Sequence, residues 1–266
     1  MNTKIMFLST GSPISKENKR RFPQVKIEIT YIFHNCFTLR LPDKTFLFDY
    51  PADQYLDQTR REAVVSRIRN THLQLFSSHN HQDHFNRNSM ELSSYTQSLT
   101  CIFSGDIVRK NPQLKGDPLC YTVDANQSYT INDYTVDTFR SNDEGVAFLI
   151  HLGALHIYFG GDLANWQWED LTKQEYQLLV SYYGDVLEKL KQWPIQIAFS
   201  NTDQRLANWS GAAQFMATVK PALFVPMHTF GKTTSIAKFL DENPHPGTEV
   251  FHYRETGDSL VWEVEV

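Results

Sequence analysis

Phe76-Ser77-Ser78-His79-Asn80-His81-Gln82-Asp83-His84-Phe85 is the stretch on which the reading of this chain turns. It has the form H-x-H-x-D-H. In an extended chain alternate residues share a face, so His79, His81 and Asp83 can converge. A turn after Asp83 then brings His84 into the same space. Imidazole nitrogen and carboxylate oxygen form a donor set that zinc, manganese and iron accept. Four such groups in six residues, directly behind an apolar strand, are costly to hold together unless something compensates. A surface loop that is merely rich in histidine would need no partners elsewhere. A metal site would need ligands from the ends of other strands.

Two positions supply them. Asp162 follows the strand Leu155-His156-Ile157-Tyr158-Phe159 through Gly160-Gly161, and glycine lets the backbone approach closely. His228 follows Leu223-Phe224-Val225-Pro226-Met227. Alone, Asp162 reads as a turn or cap residue and His228 as a packed core histidine. Beside the histidine string they read as the remaining ligands.

Outward from the string, apolar alternation predicts strands over 25–31, 36–41, 45–49, 72–78, 100–104, 129–140, 145–151 and 154–160. Further strands are expected over 195–199, 222–227, 249–253 and 259–266. Leu41-Pro42-Asp43-Lys44 and Leu152-Gly153 read as tight turns. Helices are expected over 60–70, 88–97, 172–192, 208–219 and 232–241. Thr172 with Glu175, and Asn88 with Glu91, have capping-box spacing. Two blocks of strands, each with its own helices, predict an α/β fold. The expected form is a four-layer αββα sandwich with mixed β-sheets over residues 25–266. Residues 1–24 read as a flexible leading segment.

With these residues in place, the chain resembles the metallo-β-lactamase fold superfamily. It looks most like the branch of soluble hydrolases that includes the ascorbate-6-phosphate lactonases. The resemblance implies a two-metal site between the sheets. His79 and His81 match ligands of the first metal, and Asp83, His84 and His228 match ligands of the second. Asp162 matches the carboxylate that bridges both. His34-Asn35-Cys36-Phe37 resembles a strand turn near the site, which places His34 behind the ligands. Phe46-Leu47-Phe48-Asp49 resembles the strand whose aspartate, here Asp49, supports a metal-bound histidine. The chain departs from the pattern in one place. A third histidine is expected just before residue 145, where the sequence reads Arg140-Ser141-Asn142-Asp143-Glu144. Ser141 or Asp143 is the surrogate on offer. The first ion would then bind weakly, use an oxygen ligand, borrow His34, or be absent. One or two ions follow, with zinc the first choice and manganese or iron the alternatives.

The 266 residues carry a formal net charge of −5, with 41% apolar and 21% charged residues. That balance disfavours a general nucleic-acid binder. Cys36, Cys101 and Cys120 are odd in number and lack CxxC spacing, against both a disulfide scaffold and a cysteine zinc site. No membrane span is read, and the chain is expected to be cytoplasmic. Its oligomeric state stays open. Trp166, Trp168 and Arg205 are candidates for a substrate pocket, with Arg205 suited to a carboxylate or phosphate. Lys232 is a further candidate for an anion. His151 and His156 read as structural. The expectation is a hydrolase of a small-molecule ester, lactone, amide or phosphoester. Asp83 would orient the nucleophile, a metal-bound hydroxide formed because a catalytic ion can bring the pKa of water to about 7. The rivals are a nuclease or phosphodiesterase of the same fold, and a degenerate member that binds a metal or ligand without turnover.

Overall fold

The computed structural model describes residues 24–244 and 246–265. The expected leading segment therefore lies outside the described residues, except for Gln24, which already belongs to the first strand.

The first sheet begins with β1 (Gln24–Phe33), β2 (Cys36–Arg40) and β3 (Thr45–Phe48) as an antiparallel meander. Helix α1 (Gln58–Ile68) then crosses back, started by Asp57, whose carboxylate accepts from the Arg60 N–H at 2.9 Å. β4 (His72–Ser77), β5 (Ser98–Ser104) and β6 (Cys120–Val123) add in parallel, with the short helix α2 (Gly105–Lys110) after β5. The second sheet repeats the plan. β7 (Ser128–Ile131), β8 (Tyr134–Arg140), β9 (Val146–Leu152) and β10 (Leu155–Phe159) form an antiparallel meander. Then come α3 (Lys173–Leu190), β11 (Ile197–Asn201), α4 (Ala212–Val219), β12 (Leu223–Met227), α5 (Thr234–Glu242) and β13 (Glu249–Val250), with these strands parallel.

β14 (Ser259–Glu265) returns to the first sheet beside β1. The sheet orders are β14-β1-β2-β3-β4-β5-β6 and β13-β12-β11-β10-β9-β8-β7. The last strand thus occupies, in the first sheet, the place that β7 holds in the second. Each sheet becomes a meander followed by three parallel additions.

Strand periodicity explains the four layers. Phe46 and Phe48 of β3 face the other sheet while Leu47 between them faces the helices. In β9, Val146, Phe148 and Ile150 face inward while Ala147 and Leu149 face α3 and α4. The inter-sheet core is aromatic. Phe48 and Phe159, at the ends of the corresponding strands β3 and β10, stack at 4.6 Å directly before the two loops that carry Asp49 and Asp162. Burying each such ring contributes roughly 1.5–3 kcal/mol. On the outer faces, Ile68 and Ile107 cover the first sheet, and Leu187, Phe215 and Phe239 cover the second.

Several expectations need correction. The run 129–140 is two strands, folded at Asn132, whose left-handed φ of 53° suits asparagine. Residues 89–95 form a 3-10 helix without a side-chain cap: Asn88 has φ −93° and ψ 10°, not the extended backbone of a capping residue, and its amide donates to Asp53 Oδ2 at 3.2 Å. The helix expected over 208–219 is broken at Trp209 and Ser210, both with positive φ, so α4 begins at Ala212. Only Glu249–Val250 of 249–253 is strand; Phe251 and Tyr253 beyond it are buried in the inter-sheet core. α2 and β6 were not anticipated. The capping box of α3 forms as expected, with Thr172 accepting from Glu175 and Glu175 accepting from Thr172. No helix among the described residues is long and apolar enough to cross a membrane.

Candidate metal centre

Chemistry-bearing side chains gather where the parallel strands end, the usual position for ligands of open α/β sheets. Asp49 follows β3, the histidine string follows β4, Asp162 follows β10, Asp203 follows β11 and His228 follows β12. His34 enters from the β1–β2 turn. His34, Asp49 and His228 have φ of 52°, 43° and 64°. Non-glycine residues pay for this left-handed backbone, and such strain collects at functional sites.

The histidine string is a turn rather than extended chain. The His81 carbonyl accepts from the N–H groups of His84 and Phe85 at 3.0 and 2.9 Å, so the chain bends before Asp83, not after it. The physical cause lies in the anchors on either side. Ser78 is tied to Asp49 by its N–H at 2.7 Å and its hydroxyl at 2.8 Å, and the Asn80 N–H donates to Asp106 at 2.9 Å. His79 and His84 are thereby buried with ring centroids 4.1 Å apart, while His81 stands half exposed at the rim.

Hydrogen-bond partners assign the histidine tautomers. His84 Nδ1 donates to Asp49 Oδ2 at 2.7 Å. His79 Nδ1 lies 2.9 Å from the Ser78 hydroxyl, which already gives its proton to Asp49, so the imidazole donates. His228 Nδ1 donates to Asp203 Oδ2 at 3.0 Å. In their neutral forms all three rings therefore present Nε2 lone pairs near one oxygen, with His79 Nε2 also 2.9 Å from His81 Nδ1. Asp162 Oδ2 lies 3.4 Å from His84 Nε2, 3.6 Å from His228 Nε2 and 3.7 Å from His79 Nε2. Lone pairs facing a carboxylate need a cation or a proton between them. His84 Nε2 is buried without any hydrogen-bond partner. The donor set and this orphaned nitrogen fit a metal ion.

His34 has the opposite tautomer. Its Nδ1 accepts from the Phe230 N–H at 3.3 Å, which leaves a proton on Nε2, 3.4 Å from Asp83 Oδ2. Asp83 Oδ2 is also 3.7 Å from His84 Nε2. His34 thus sits behind Asp83 rather than in the gap near residue 145. That gap is filled by Asp143. One donor atom each from His79, His81, Asp143 and Asp162 lies within 4.8 Å of the others, and His34, His84 and His228 form a second such group. The Ser141 hydroxyl accepts from the Asp143 N–H at 3.1 Å and so shapes the loop that carries Asp143.

Electrostatics follow the geometry. Burial alone would discharge His84, but Asp162, Asp49 and Asp83 outweigh it and push its pKa up to about 10. Burial and the His84 charge hold His79 well below its ordinary value. Burial likewise opposes ionisation of Asp162, yet His84, His228 and His79 keep its carboxyl well below the usual range. Burial raises Asp143, and the nearby Asp162 charge adds to it.

Two glycines let the second sheet close on the string. A Cβ on Gly145 would meet Ser78 O at 2.0 Å, and one on Gly161 would meet Ser78 Cβ at 2.6 Å. Sequence reasoning missed two further residues. Asn35 donates to Asp162 Oδ1 at 3.3 Å and accepts from the His228 N–H at 2.8 Å, so one amide holds two site loops. Asp203 holds His228 as well as Arg205. The signal for Asp203 was its place at the end of β11, in step with its neighbours.

A cavity of about 400 Å³ opens beside Asp83, Asp162 and His228, walled by Trp166, Trp168 and Arg205. Trp166 donates its indole N–H to the Asp162 carbonyl at 2.8 Å and stacks parallel to Trp168 at 5.8 Å. Lys232 is exposed and does not line it. His151 and His156 pair at the far end of the β9–β10 hairpin, away from this cavity.

Comparison with known proteins agrees with this geometry. No curated protein matches the chain. A family model described as a beta-lactamase superfamily domain matches residues 28–228. Among solved structures, a candidate metal-dependent hydrolase from Parabacteroides distasonis superposes with a TM-score of 0.61 at 16% identity, covering 87% of this chain and 94% of that one. Igni18, a metallo hydrolase from Ignicoccus hospitalis, gives 0.59 at 14% identity, covering 89% and 98%. The metallo-beta-lactamase fold protein YhfI from Bacillus subtilis gives 0.59 at 14% identity, covering 90% and 100%. Two mixed sheets between helices, with histidine and aspartate loops at their shared edge, are thus the metallo-β-lactamase fold, and this chain belongs to the beta-lactamase superfamily.

Proposed function

We propose that this protein is a metal-dependent hydrolase of a small molecule with an ester, lactone, amide or phosphoester bond. The observation that carries the reading is the convergence of three Nε2 lone pairs on Asp162 Oδ2, each ring locked by a partner at Nδ1. His79, His81, Asp143 and Asp162 would hold one divalent ion. Asp83, His84, His228 and Asp162 would hold the other. Zinc, manganese and iron all suit this mixture of nitrogen and oxygen donors. A divalent ion bound there supplies a Lewis acid and a water of lowered pKa.

The chain's own residues do the rest. Asp83 is ionised, because His34 and the His84 charge outweigh the burial that opposes it. It faces the cavity and can take a proton from an attacking water. His34 Nε2 lies 3.4 Å from that carboxylate. Trp166 and Trp168 cover one side of the cavity. The cavity volume suits a small molecule. Its lining carries Asp83, Asp143 and Asp162 against a single arginine, which disfavours a nucleic-acid groove.

The test compares metal-reconstituted protein with the same protein in EDTA on 4-nitrophenyl esters and on bis-4-nitrophenyl phosphate. Metal-dependent hydrolysis that is lost on His84→Ala is expected. Stoichiometric metal binding with no turnover of any substrate would favour the non-catalytic reading, and cleavage confined to the phosphodiester would favour the nuclease class.

A further inference from the structure

Arg205 is held more firmly than a surface arginine needs to be. Its Nε donates to both oxygens of Asp203 at 2.9 Å, and Nη2 donates to Asp203 Oδ2 as well. Its guanidinium carbon also lies over two aromatic rings, 5.1 Å from the Trp168 centroid and 5.2 Å from that of Phe230. One edge of the planar group is therefore occupied by Asp203, and the side chain is otherwise about half exposed. Arginine has five N–H donors in a fixed fork. Among the described residues, no acceptor is hydrogen-bonded to Nη1.

This immobilised cation lines the same cavity as Asp83, Asp162 and His228. It is the only lysine or arginine among the lining residues. Asp203 also ties it to the site, since the carboxylate that grips Arg205 accepts from His228 Nδ1. A partner for Asp203 alone would need neither the stacking rings nor a free edge. A donor pair whose orientation is already fixed loses little side-chain freedom when it captures an anion.

We propose that Arg205, held by Asp203 beside Trp168 and Phe230, is an anion subsite, and that the substrate carries a carboxylate or phosphate away from its scissile bond. This deepens the hydrolase reading and rests on it for the word substrate. The anionic end would sit on Nη1, and the apolar body against Trp166, Trp168 and Leu179. The bond to be cleaved would face Asp83 and Asp162.

Binding tests this without requiring turnover, so a failed hydrolase assay leaves the result readable. Quenching of tryptophan fluorescence in metal-loaded protein would be titrated with 4-phenylbutyrate, with 2-phenylethyl phosphate, and with the neutral 4-phenylbutyramide. A charge-assisted contact predicts that at least one anion binds about tenfold or more tighter than the amide. The two anions separate carboxylate from phosphate preference. Arg205→Gln should bring the preference to within about twofold while still binding the amide, and Arg205→Lys should keep part of it. Equal binding of acid and amide to the unaltered protein would overturn the proposal. So would an undiminished preference in Arg205→Gln, which would assign the anion to the metal ions. Loss of amide and acid alike in both variants would leave Arg205 only the role of bracing Asp203.

Discussion

His84 Nδ1 donates to Asp49 Oδ2 at 2.7 Å, and both side chains are fully buried. Asp49 comes from the end of β3 and His84 from the turn after β4, so the contact joins two parallel neighbours behind the site. The carboxylate fixes the ring's tautomer and aims Nε2 at Asp162.

Asp49→Asn keeps the shape but not the acceptor count. Asp49 accepts from Ser78 N and Oγ as well as from His84, and an amide must turn an N–H₂ toward one of those donors. Losing such an orienting partner typically weakens metal affinity by about 10–100-fold. Calorimetric titration of metal into stripped protein should read that loss. Unchanged affinity would mean that His84 is not a ligand or does not need Asp49.

Gly145→Ala should both destabilise the fold and disturb the site. Gly145 has φ of 68°, and an added Cβ would lie 2.0 Å from Ser78 O and 2.7 Å from His79 Cβ. The left-handed backbone alone costs an alanine roughly 1–3 kcal/mol. The overlap with backbone must also push the histidine string away. Gly153→Ala is the control, with φ of 60° and nothing within 4 Å of the added carbon. Urea unfolding should show the larger loss for Gly145→Ala, and only that variant should lose bound metal. Equal losses would mean that the close approach to Ser78 does not matter.

What was legible in the sequence was what is local. The H-x-H-x-D-H string, the strand-Gly-Gly-Asp pattern at Asp162 and the Thr172–Glu175 capping box each announce themselves within a few residues. The layers were legible because two blocks of strands each carry their own helices. What escaped was set by partners distant in the chain. Asn88 donates to Asp53, Asp203 accepts from His228, and Asn35 bridges Asp162 and His228. The bend at His81 escaped for the same reason, since Asp49 and Asp106 impose it from other strand ends.

Asp143 stands where the family resemblance called for a histidine. Its donor atom groups with those of His79, His81 and Asp162. Asp143→Ala removes a ligand from that group and leaves Asp83, His84 and His228 untouched. Elemental analysis of the variant, reconstituted and dialysed beside the unaltered protein, should find about one ion fewer per chain. Asp143→His should restore the ion, because imidazole is an accepted donor for the same metals. Unchanged stoichiometry in the alanine variant would remove Asp143 from the site.

Far from the cavity, His156 makes a pH-dependent contribution to stability. Its Nδ1 lies 3.0 Å from His151 Nδ1, and His151 Nε2 lies 3.0 Å from Asp137 Oδ2. Trp193 packs on both rings, at 4.5 Å from His151 and 5.2 Å from His156. Burial, and then the neighbouring His151, lower the pKa of His156 below its ordinary 6.5. In the unfolded chain that restraint is gone, so the unfolded state binds the proton more readily. The stabilising contribution is therefore complete above about pH 6.5 and declines as pH falls toward the folded-state value. His156→Asn removes the titrating group. Urea unfolding at pH 7.5 and pH 5.5 should show the unaltered protein losing more stability between the two than the variant does. Every other titrating group is common to both proteins and cancels in the comparison. A stability difference between the two proteins that stays constant across this range would mean that folding leaves the pKa of His156 where it was.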